Sequence, residues 1–201
     1  MKTKPSYLNC LSELEKEITS KLSRGYLDKK SPFNLFVLST SSNKNVNSRI
    51  VVMRKFCSVK WEIIIHSDLR SKKMSELRSN KHVCLNFWDP KKNLQIRIKG
   101  EAKKYEYNND RVWHELSSWS KRNYLSQKTP GEHTEKGISG FDEEFLNIPP
   151  NHKHFSQGRK NFCQIKICIK SMDCLILSRL GYRRALFENK ANIMQKKWLI
   201  P

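Results

Sequence analysis

Strict alternation of apolar and polar residues is the feature that most constrains this chain. The segment LQIRIKGEA at residues 94–102 places an apolar side chain at every second position, and NFCQIKICIK at residues 161–170 repeats the pattern. Side chains of a strand point alternately to opposite faces, so this period predicts strands with one buried and one polar face. The chain is therefore predicted to be built around a sheet.

The other segments predict how that sheet is connected. Helical periodicity appears at residues 7–23, 69–79 and 108–125, whereas residues 126–160 carry the turn signals of a long connection, with a short helix predicted at 142–147. Because strands do not alternate with crossover helices, a doubly wound parallel sheet is disfavoured. We predict a mainly β (α+β) single domain over residues 1–201, whose antiparallel sheet is closed or sandwich-like. The remaining predicted strands are residues 33–40, 49–56, 61–67, 82–88, 173–178 and 184–188.

The net charge indicates which classes of partner the chain is expected to bind. The chain has 201 residues, and its 39 Lys and Arg against 19 Asp and Glu give a net charge of +20. Such an excess raises affinity for polyanions, which makes nucleic-acid binding an alternative function. The basic residues are spread along the whole chain rather than gathered in one block, which disfavours a dedicated nucleic-acid surface.

Cysteine and apolar patterns indicate the compartment. The six cysteines form no C-x-x-C pair, and most lie among apolar residues, which favours buried free thiols. No segment reads as a signal peptide or reaches membrane-spanning length, so we expect a soluble cytoplasmic protein without a membrane partner. The spacing of His133, His152 and His154 makes no regular zinc set, and no metal is predicted.

Residues 66–78, HSDLRSKKMSELR, concentrate polar chemistry at the start of a predicted helix. Ser67 or Asp68 is the predicted cap, which places Arg70, Lys72 and Lys73 in the first turn. Cations there oppose the helix macrodipole, but together with free backbone N–H groups and Ser71 they suit a phosphate. A solvated basic helix is the alternative that this segment alone leaves open.

The order of several motifs resembles the pyridoxamine 5′-phosphate oxidase family. The motifs are R-x-x-x-x-R at residues 49–54, His66-Ser67 running into Ser71-Lys72-Lys73, NFW, Gln95 in an alternating strand, GYRRALF and a terminal W-L-I-P. The resemblance covers about residues 33–201 and is closer to the less characterised FMN-binding relatives than to the biosynthetic oxidase. It implies an antiparallel split β-barrel with flanking helices, an FMN cofactor, and a homodimer with a shared active site.

The resemblance also assigns residues to the cofactor. It places Arg49 at the flavin phosphate, a stretch of strand backbone along the ring, the helix start around the phosphate, and a glutamine at the ring. The implied FMN-binding residues are Arg49, Ile50, Val51, Val52, Met53, His66, Ser67, Ser71, Lys72, Lys73, Gln95, and Arg183 or Arg184.

The substrate side departs from the family pattern. The implied substrate-binding residues are Arg54, Arg122 and Arg179, with Arg54 replacing a lysine. In the biosynthetic oxidase of this family, a Tyr, an Arg and a Ser of the middle helix bind the substrate phosphate. They do not align cleanly in this chain, where Trp113 is a candidate for the tyrosine. A C-terminal tryptophan and a histidine, replaced by Gly181, are missing.

The expected function is an FMN-dependent oxidoreductase. It would transfer a hydride to the flavin from a small substrate, phosphorylated amines and alcohols among the candidates, and no catalytic residue is assigned. The alternatives are a non-catalytic flavin- or haem-related split-barrel protein and a basic nucleic-acid-binding protein.

Overall fold

One antiparallel sheet organises the computed structural model of the chain, which describes residues 6–42, 45–105, 110–141, 143–146, 152–179, 181–190 and 193–201. Its strands are β1 (Leu35–Ser42), β2 (Asn45–Val52), β3 (Lys55–Cys57), β4 (Glu62–Asp68), β5 (His82–Asp89), β6 (Leu94–Tyr105), β7 (Phe162–Ile176), β8 (Arg183–Lys190) and β9 (Ile193–Leu199). The helices are α1 (Leu11–Leu27), α2 (Lys72–Ser79), α3 (Asp110–Glu115), α4 (Ser118–Arg122) and α5 (His152–Asn161), with 3-10 turns at Ser6–Leu8 and Glu143–Phe145.

The strand order makes a split barrel. The sheet runs β2-β1-β5-β6-β7-β4-β3. In addition, β8 pairs with the C-terminal part of β7, and β9 pairs with β8. The ends of this path curve towards each other, and the Arg54 N–H donates to the Ile64 carbonyl at 2.9 Å. Within the described residues β2 pairs with β1 and not with β4, so the barrel stays open there. The predicted fold class is confirmed.

The alternation seen in the sequence builds the core. On β6, Ile96 and Ile98 are fully buried, whereas the residues between them lie on the opposite, outer face of the sheet. Helix α1 closes one end of the barrel with a buried stripe that includes Ile18 and Leu22. Gly25 permits that approach, because a Cβ there would lie 2.6 Å from the Phe33 carbonyl oxygen.

A second, smaller core lies where helices α3 to α5 cover the outer face of β4 and the start of β7. Trp113, Tyr124 and Phe162 are buried together, with ring centroids 5.1–5.8 Å apart. Aromatic pairs at these separations and tilts contribute beyond the area they bury. This cluster fixes α3 against the sheet and so shapes the space between them.

Several element boundaries differ from the predictions. Helix α1 begins at Leu11 and ends at Leu27, later at both ends than predicted. Residues 49–56, predicted as one strand, belong to β2 and β3, which are interrupted at Met53 and Arg54. The predicted strands 33–40 and 49–56 left a polar stretch between them, but residues 41–42 belong to the end of β1 and residues 45–48 to the start of β2. These strands lie at the end of the sheet path, where polar side chains remain in water.

The C-terminal half contains further corrections. Helix α5 occupies the last part of the predicted 126–160 connection, and its sequence HKHFSQGRKN is too polar for an apolar period to reveal it. The segments 161–170 and 173–178 form the single long strand β7, and the unpredicted β9 ends the sheet. The short helix predicted at 142–147 is the 3-10 turn Glu143–Phe145, beside residues that lie outside the described ones.

The cysteines and the helices bear on two further expectations, buried thiols and the lack of a membrane-spanning segment. Of the cysteines, Cys163 and Cys174 are buried, Cys10 is exposed and the others are partly exposed, so the prediction of buried thiols holds for two of them. Among the described residues, no helix combines the length and the apolar character needed to cross a membrane.

Candidate cofactor site

The start of α2 is arranged differently from the sequence prediction. Ser71, rather than Ser67 or Asp68, occupies the N-cap position, and the helix begins at Lys72. Arg70 therefore precedes the helix, and its guanidinium is bound by the Asp68 carboxylate at 2.7 and 3.1 Å. This ion pair offsets the charge of one of the three cations expected in the first turn. Lys72 and Lys73 remain as the two candidates for a phosphate ligand.

Ser67, Ser71 and Lys73 form a compact group that we call the Ser–Lys cluster. The Lys73 ammonium donates to the Ser71 hydroxyl at 2.9 Å and to the Ser67 hydroxyl at 3.1 Å. Both serines are buried, at 6% and 4% exposure, and their oxygens are 3.2 Å apart. Burial and the positive charge of Arg49 lower the pKa of Lys73. The cluster thus holds a cation that has neutral partners and a second cation nearby.

Arg49 is held beside this cluster by a buried carboxylate. Its guanidinium lies 2.9 Å from Glu76 on α2 and also donates to the Thr40 hydroxyl. Glu76 further accepts hydrogen bonds from Thr40 and Asn47. Burial alone would raise the pKa of Glu76, but the hydrogen bonds from Thr40 and Arg49 outweigh it and hold that pKa below its usual value. Arg49 is therefore fixed in place, and part of its charge is offset.

Lys72 differs from Lys73 although the two are adjacent. The Lys72 side chain is exposed, whereas Lys73 is partly buried and turned towards the serines. Adjacent positions of a helix point about 100° apart, which separates the two ammonium groups. Of the predicted Ser71-Lys72-Lys73 clamp, the structure therefore brings together Ser71 and Lys73.

The predicted flavin-ring stretch, residues 50–53, lies along the end strand of the sheet. Ile50 is 68% exposed on the outer face, whereas Met53 is 1% exposed and its N–H donates to the Asn34 carbonyl. Within the described residues, β2 uses one edge for β1 and leaves the other facing the opening towards β4. Its backbone is therefore accessible to a flat ligand, as the predicted contacts of Ile50, Val51, Val52 and Met53 require.

His66 and Ser67 point to opposite faces of β4, so the predicted pair is divided. Ser67 joins the Ser–Lys cluster, whereas His66 lines a cavity of about 500 Å³ on the outer side with Arg54 and Gln164. The Gln164 amide nitrogen lies 3.1 Å from His66 Nε2. Burial, aided by the positive charge of Arg54, lowers the pKa of His66 to about 4. The imidazole is therefore neutral near pH 7. We call this space the Arg54 cavity; its other walls include Ile64, Val112, Glu115 and Leu116.

Gln95 and Arg184 lie on the outer face of the sheet, away from Arg49. The register places both opposite Leu175, so they are two strands apart on one face. Arg184 is bound by Asp173 at 2.8 and 3.1 Å, and Asp173 also binds Arg97 at 2.6 Å. Since successive strand residues alternate, Arg183 points to the other face, and its guanidinium donates to the Tyr182 carbonyl. Arg184 is thus the member of the doublet that shares a face with Gln95.

The predicted substrate residues Arg122 and Arg179 do not line the Arg54 cavity. Arg122 donates to the carbonyl oxygens of Phe145 and Leu146 and lies 4.7 Å from the centre of the Trp119 ring. Arg179 is exposed after the end of β7. Arg54 is the only one of the three predicted substrate residues that lines this cavity.

Thr40 and Glu76 belong to the site but were not predicted from the sequence. Thr40 continues the buried phase of β1 after Phe36 and Leu38, and a polar residue in that phase was the available signal. Glu76 had no comparable signal, because its partners Thr40, Asn47 and Arg49 come from distant strands.

The donor set of the Ser–Lys cluster fits a phosphate monoester. It combines one ammonium with the backbone N–H groups of Lys72 and Lys73 in the first turn of α2. The Ser71 and Ser67 hydroxyls lie beside them and donate to the Asp68 carbonyl at 2.7 and 3.2 Å, so they would turn to a phosphate only by giving up that bond. The neighbouring arginine adds positive potential, and charge-assisted hydrogen bonds of this kind are the strong ones.

A family comparison agrees with this donor set. Residues 11–106 match the family described as "Pyridoxamine 5'-phosphate oxidase, FMN-binding domain". Residues 11–106 are an FMN-binding domain of this family. The matched part runs from α1 to β6 and contains Arg49, the Ser–Lys cluster and Gln95, whereas Arg122, Arg179 and Arg184 lie beyond it. The match confirms the resemblance and makes FMN the cofactor of this domain.

Solved structures show the same fold over the whole chain. A pyridoxamine 5′-phosphate oxidase-related FMN-binding protein from Nostoc punctiforme is 18% identical, with a TM-score of 0.73 and full coverage of both chains. PhzG from Burkholderia lata, in complex with tetrahydrophenazine-1-carboxylic acid, is also 18% identical, with a TM-score of 0.67 over 99% of this chain and 98% of PhzG. No curated protein matches the chain. At 18% identity this likeness shows the fold alone. The shared fold includes β7, β8 and β9, which lie beyond the part of the chain that the family match covers.

Proposed function

We propose that the chain is an FMN-dependent oxidoreductase that oxidises a small substrate by hydride transfer to the flavin. The observation that carries the proposal is the Ser–Lys cluster beside Arg49, which lies inside the FMN-binding domain. When bound, FMN supplies the two-electron acceptor that no side chain provides. The chain's own residues bind the phosphate, support the ring and position the substrate.

Lys73 is the principal phosphate ligand in this proposal. Its ammonium now has only hydroxyl partners among the described hydrogen bonds, and Arg49 disfavours its charged form. A phosphate at the cluster offsets that repulsion and accepts charge-assisted hydrogen bonds from Lys73. Arg49, tied to Glu76, adds positive potential without having to reorganise. Ser67, Ser71 and the Lys72 and Lys73 backbone N–H groups complete the phosphate site.

The ring-side residues lead to a second proposal, that the site is completed by another copy of the chain. Arg49 lies on the α2 side of the sheet, whereas Gln95 and Arg184 lie on its outer face, so one chain cannot direct all three at one ligand. The outer face also carries large exposed apolar side chains, including Ile50 and Trp88 at 68% and 42% exposure. A homodimer joined through this face would cover them and bring the partner's glutamine and arginine to the ring.

Oligomeric state tests the dimer proposal. Ile50→Glu places a charge in the proposed interface, so we expect a monomer by light scattering and weakened FMN binding. Val59→Glu is the matched control, because Val59 is 89% exposed and lies in the β3–β4 turn rather than on a strand of that face. If the wild-type protein is monomeric yet binds FMN, the shared-site proposal fails.

Flavin spectroscopy tests the main proposal. The purified protein, titrated with FMN, is expected to perturb the visible flavin spectrum at micromolar cofactor, and absence of binding would contradict the proposal. Anaerobic mixing with pyridoxamine phosphate, pyridoxine phosphate or tetrahydrophenazine-1-carboxylic acid, the ligand of the PhzG structure, then asks which substrate bleaches the bound flavin.

A non-catalytic flavin-binding protein is the second candidate. It is favoured by the positions of Arg122 and Arg179, which leave the Arg54 cavity with fewer cations than the resemblance implies. Tight FMN binding without reduction by any of these substrates, or by related amines and alcohols, would support this candidate over the oxidoreductase.

A further inference from the structure

The Arg54 cavity combines an arginine with apolar walls, unlike a site built for a phosphate. We propose that it is the substrate pocket and that it takes a carboxylate carried on an apolar ring or chain, rather than a phosphate ester. This inference rests on the proposed FMN-dependent function, since the substrate must lie beside the flavin. The cavity, of about 500 Å³, is of the size that small ligands occupy.

Position links the cavity to the cofactor site. Arg54 directly follows the predicted ring stretch, and its N–H is anchored to the Ile64 carbonyl at 2.9 Å. His66 precedes Ser67, so the cavity and the Ser–Lys cluster lie on opposite sides of the same strand, β4. A ligand in the cavity is therefore within one strand of the elements that bind FMN.

The charges in the cavity match a single negative charge. Arg54 has no ion pair or hydrogen bond to its guanidinium within the described part of the chain, and a guanidinium fork suits the two oxygens of a carboxylate. Lys55 adds a second cation at the wall, and Glu115 contributes a carboxylate, which also pairs at 2.9 Å with Arg111, a residue that does not line the cavity. His66, neutral because burial and Arg54 disfavour its proton, adds no charge. The charged side chains that line the cavity therefore sum to one positive charge, which suits a monoanion better than a phosphate dianion.

The remaining walls are apolar. Ile64 on β4, Val112 on α3 and Leu116 just after α3 line the cavity, and the last two pack against the Trp113 core. The resemblance implied a tyrosine, an arginine and a serine of the middle helix as phosphate ligands. The candidate for the tyrosine, Trp113, is 3% exposed in the helical core, and Val112 and Leu116 present aliphatic side chains instead. Such walls favour the apolar part of a substrate.

His66 contributes a neutral ring to the cavity wall. If the Gln164 amide donates to Nε2, the proton of the neutral ring lies on Nδ1. Nδ1 is buried and has no hydrogen-bond partner among the described residues. Because Nδ1 is closed off from solvent and Nε2 faces Gln164, the ring offers the cavity a neutral surface.

Three ring-matched probes test this inference on the FMN-loaded protein: benzoate, phenyl phosphate and benzamide. Calorimetry and the flavin difference spectrum report binding. We expect benzoate to bind at least about tenfold more tightly than either analogue, because each analogue mismatches the charge or the fork of Arg54. Arg54→Gln should weaken benzoate by about tenfold or more and leave FMN affinity unchanged. Arg78→Gln, which removes an exposed arginine of α2, is the matched control.

Leu116→Arg provides the converse test. An added cation on the cavity wall should shift the preference from benzoate to phenyl phosphate, and retained FMN binding reports that the variant is folded. Phenyl phosphate binding as tightly as benzoate to the wild type, or benzoate affinity indifferent to Arg54→Gln, overturns the inference. If FMN itself does not bind, the proposed function fails, and calorimetry of benzoate on the cofactor-free protein still decides the pocket's preference.

Discussion

The Ser–Lys cluster with Arg49 and the Arg54 cavity lie on two sides of one strand but are built differently. In the cluster the polar groups are buried and bonded to one another, through Lys73, two serines and the Arg49–Glu76 pair. In the cavity Arg54 is exposed, and Glu115 pairs outward with Arg111 at 2.9 Å. The proposed phosphate site is therefore organised before any ligand arrives, whereas the proposed substrate pocket is left for a ligand to complete.

This difference predicts where substitutions act. A buried network is costly to break, because each group left behind has already lost its water. Exposed charges are screened, and their removal changes ligand binding more than folding. Substitutions in the cluster should therefore reduce stability as well as cofactor affinity, whereas those at Arg54 should affect ligands alone.

The largest effect is expected for Glu76→Gln. The substitution leaves the Arg49 guanidinium beside a neutral amide and removes the charged acceptor of Thr40 and Asn47. Breaking a buried ion pair on one side should lower the free energy of unfolding by about 3 kcal/mol, measured by urea denaturation. Glu13→Gln breaks an exposed pair with Lys16 and should cause no measurable loss. Similar results for both variants would show that the Arg49 network does not stabilise the fold.

A smaller effect separates Lys73 from Lys72. Lys73→Met removes the ammonium of the Ser–Lys cluster and should weaken FMN by about 1.5–3 kcal/mol, measured by quenching of flavin fluorescence. Lys72→Met removes an equal charge from an exposed neighbour and should change FMN affinity by less than about fivefold. Equal losses would mean that the phosphate is bound by general positive potential rather than by the cluster.

The grouping of Ser67, Ser71 and Lys73 was predictable because its contacts are local, although the cap residue of α2 was predicted wrongly. Ser67, Ser71 and Lys73 lie within seven residues, and a strand running into a helix brings them together without help from the rest of the fold. The strand period likewise predicted the buried face of β6, and the family resemblance predicted the split barrel. Both depend on patterns that a single segment or an ordered series of motifs can carry.

The rest of the site was not predictable, because its contacts join segments that are distant in the sequence. That Arg49 meets Glu76, and that Gln95 lies with Arg184 on the opposite face, follow from strand pairing across distant segments. The division of His66 from Ser67 depends on which face of β4 meets the core, which the pattern Ile63, Ile65, Ser67 indicates only once the strand's neighbours are known. Helix α5 lacked an apolar period altogether.

The pH dependence of stability tests the cavity side of the comparison. Burial and Arg54 lower the pKa of His66 from 6.5 to about 4, so the unfolded chain takes up its proton first as the pH falls. The stabilisation from the neutral ring is complete above the unfolded pKa and is lost progressively as the pH falls towards the folded one. Between about pH 7 and pH 5 this should cost about 2 kcal/mol, measured as the change in urea unfolding free energy.

His66→Gln should remove that part of the pH dependence, whereas His82→Gln, at an exposed histidine of β5, should leave it intact. Comparing the slopes of the three proteins cancels the titration of carboxylates, which all of them share. If His66→Gln and the wild type lose stability equally on acidification, His66 takes up a proton in the folded chain as readily as in the unfolded one. The cavity would then hold an imidazolium in mildly acidic solution and would be more cationic than a monoanion requires.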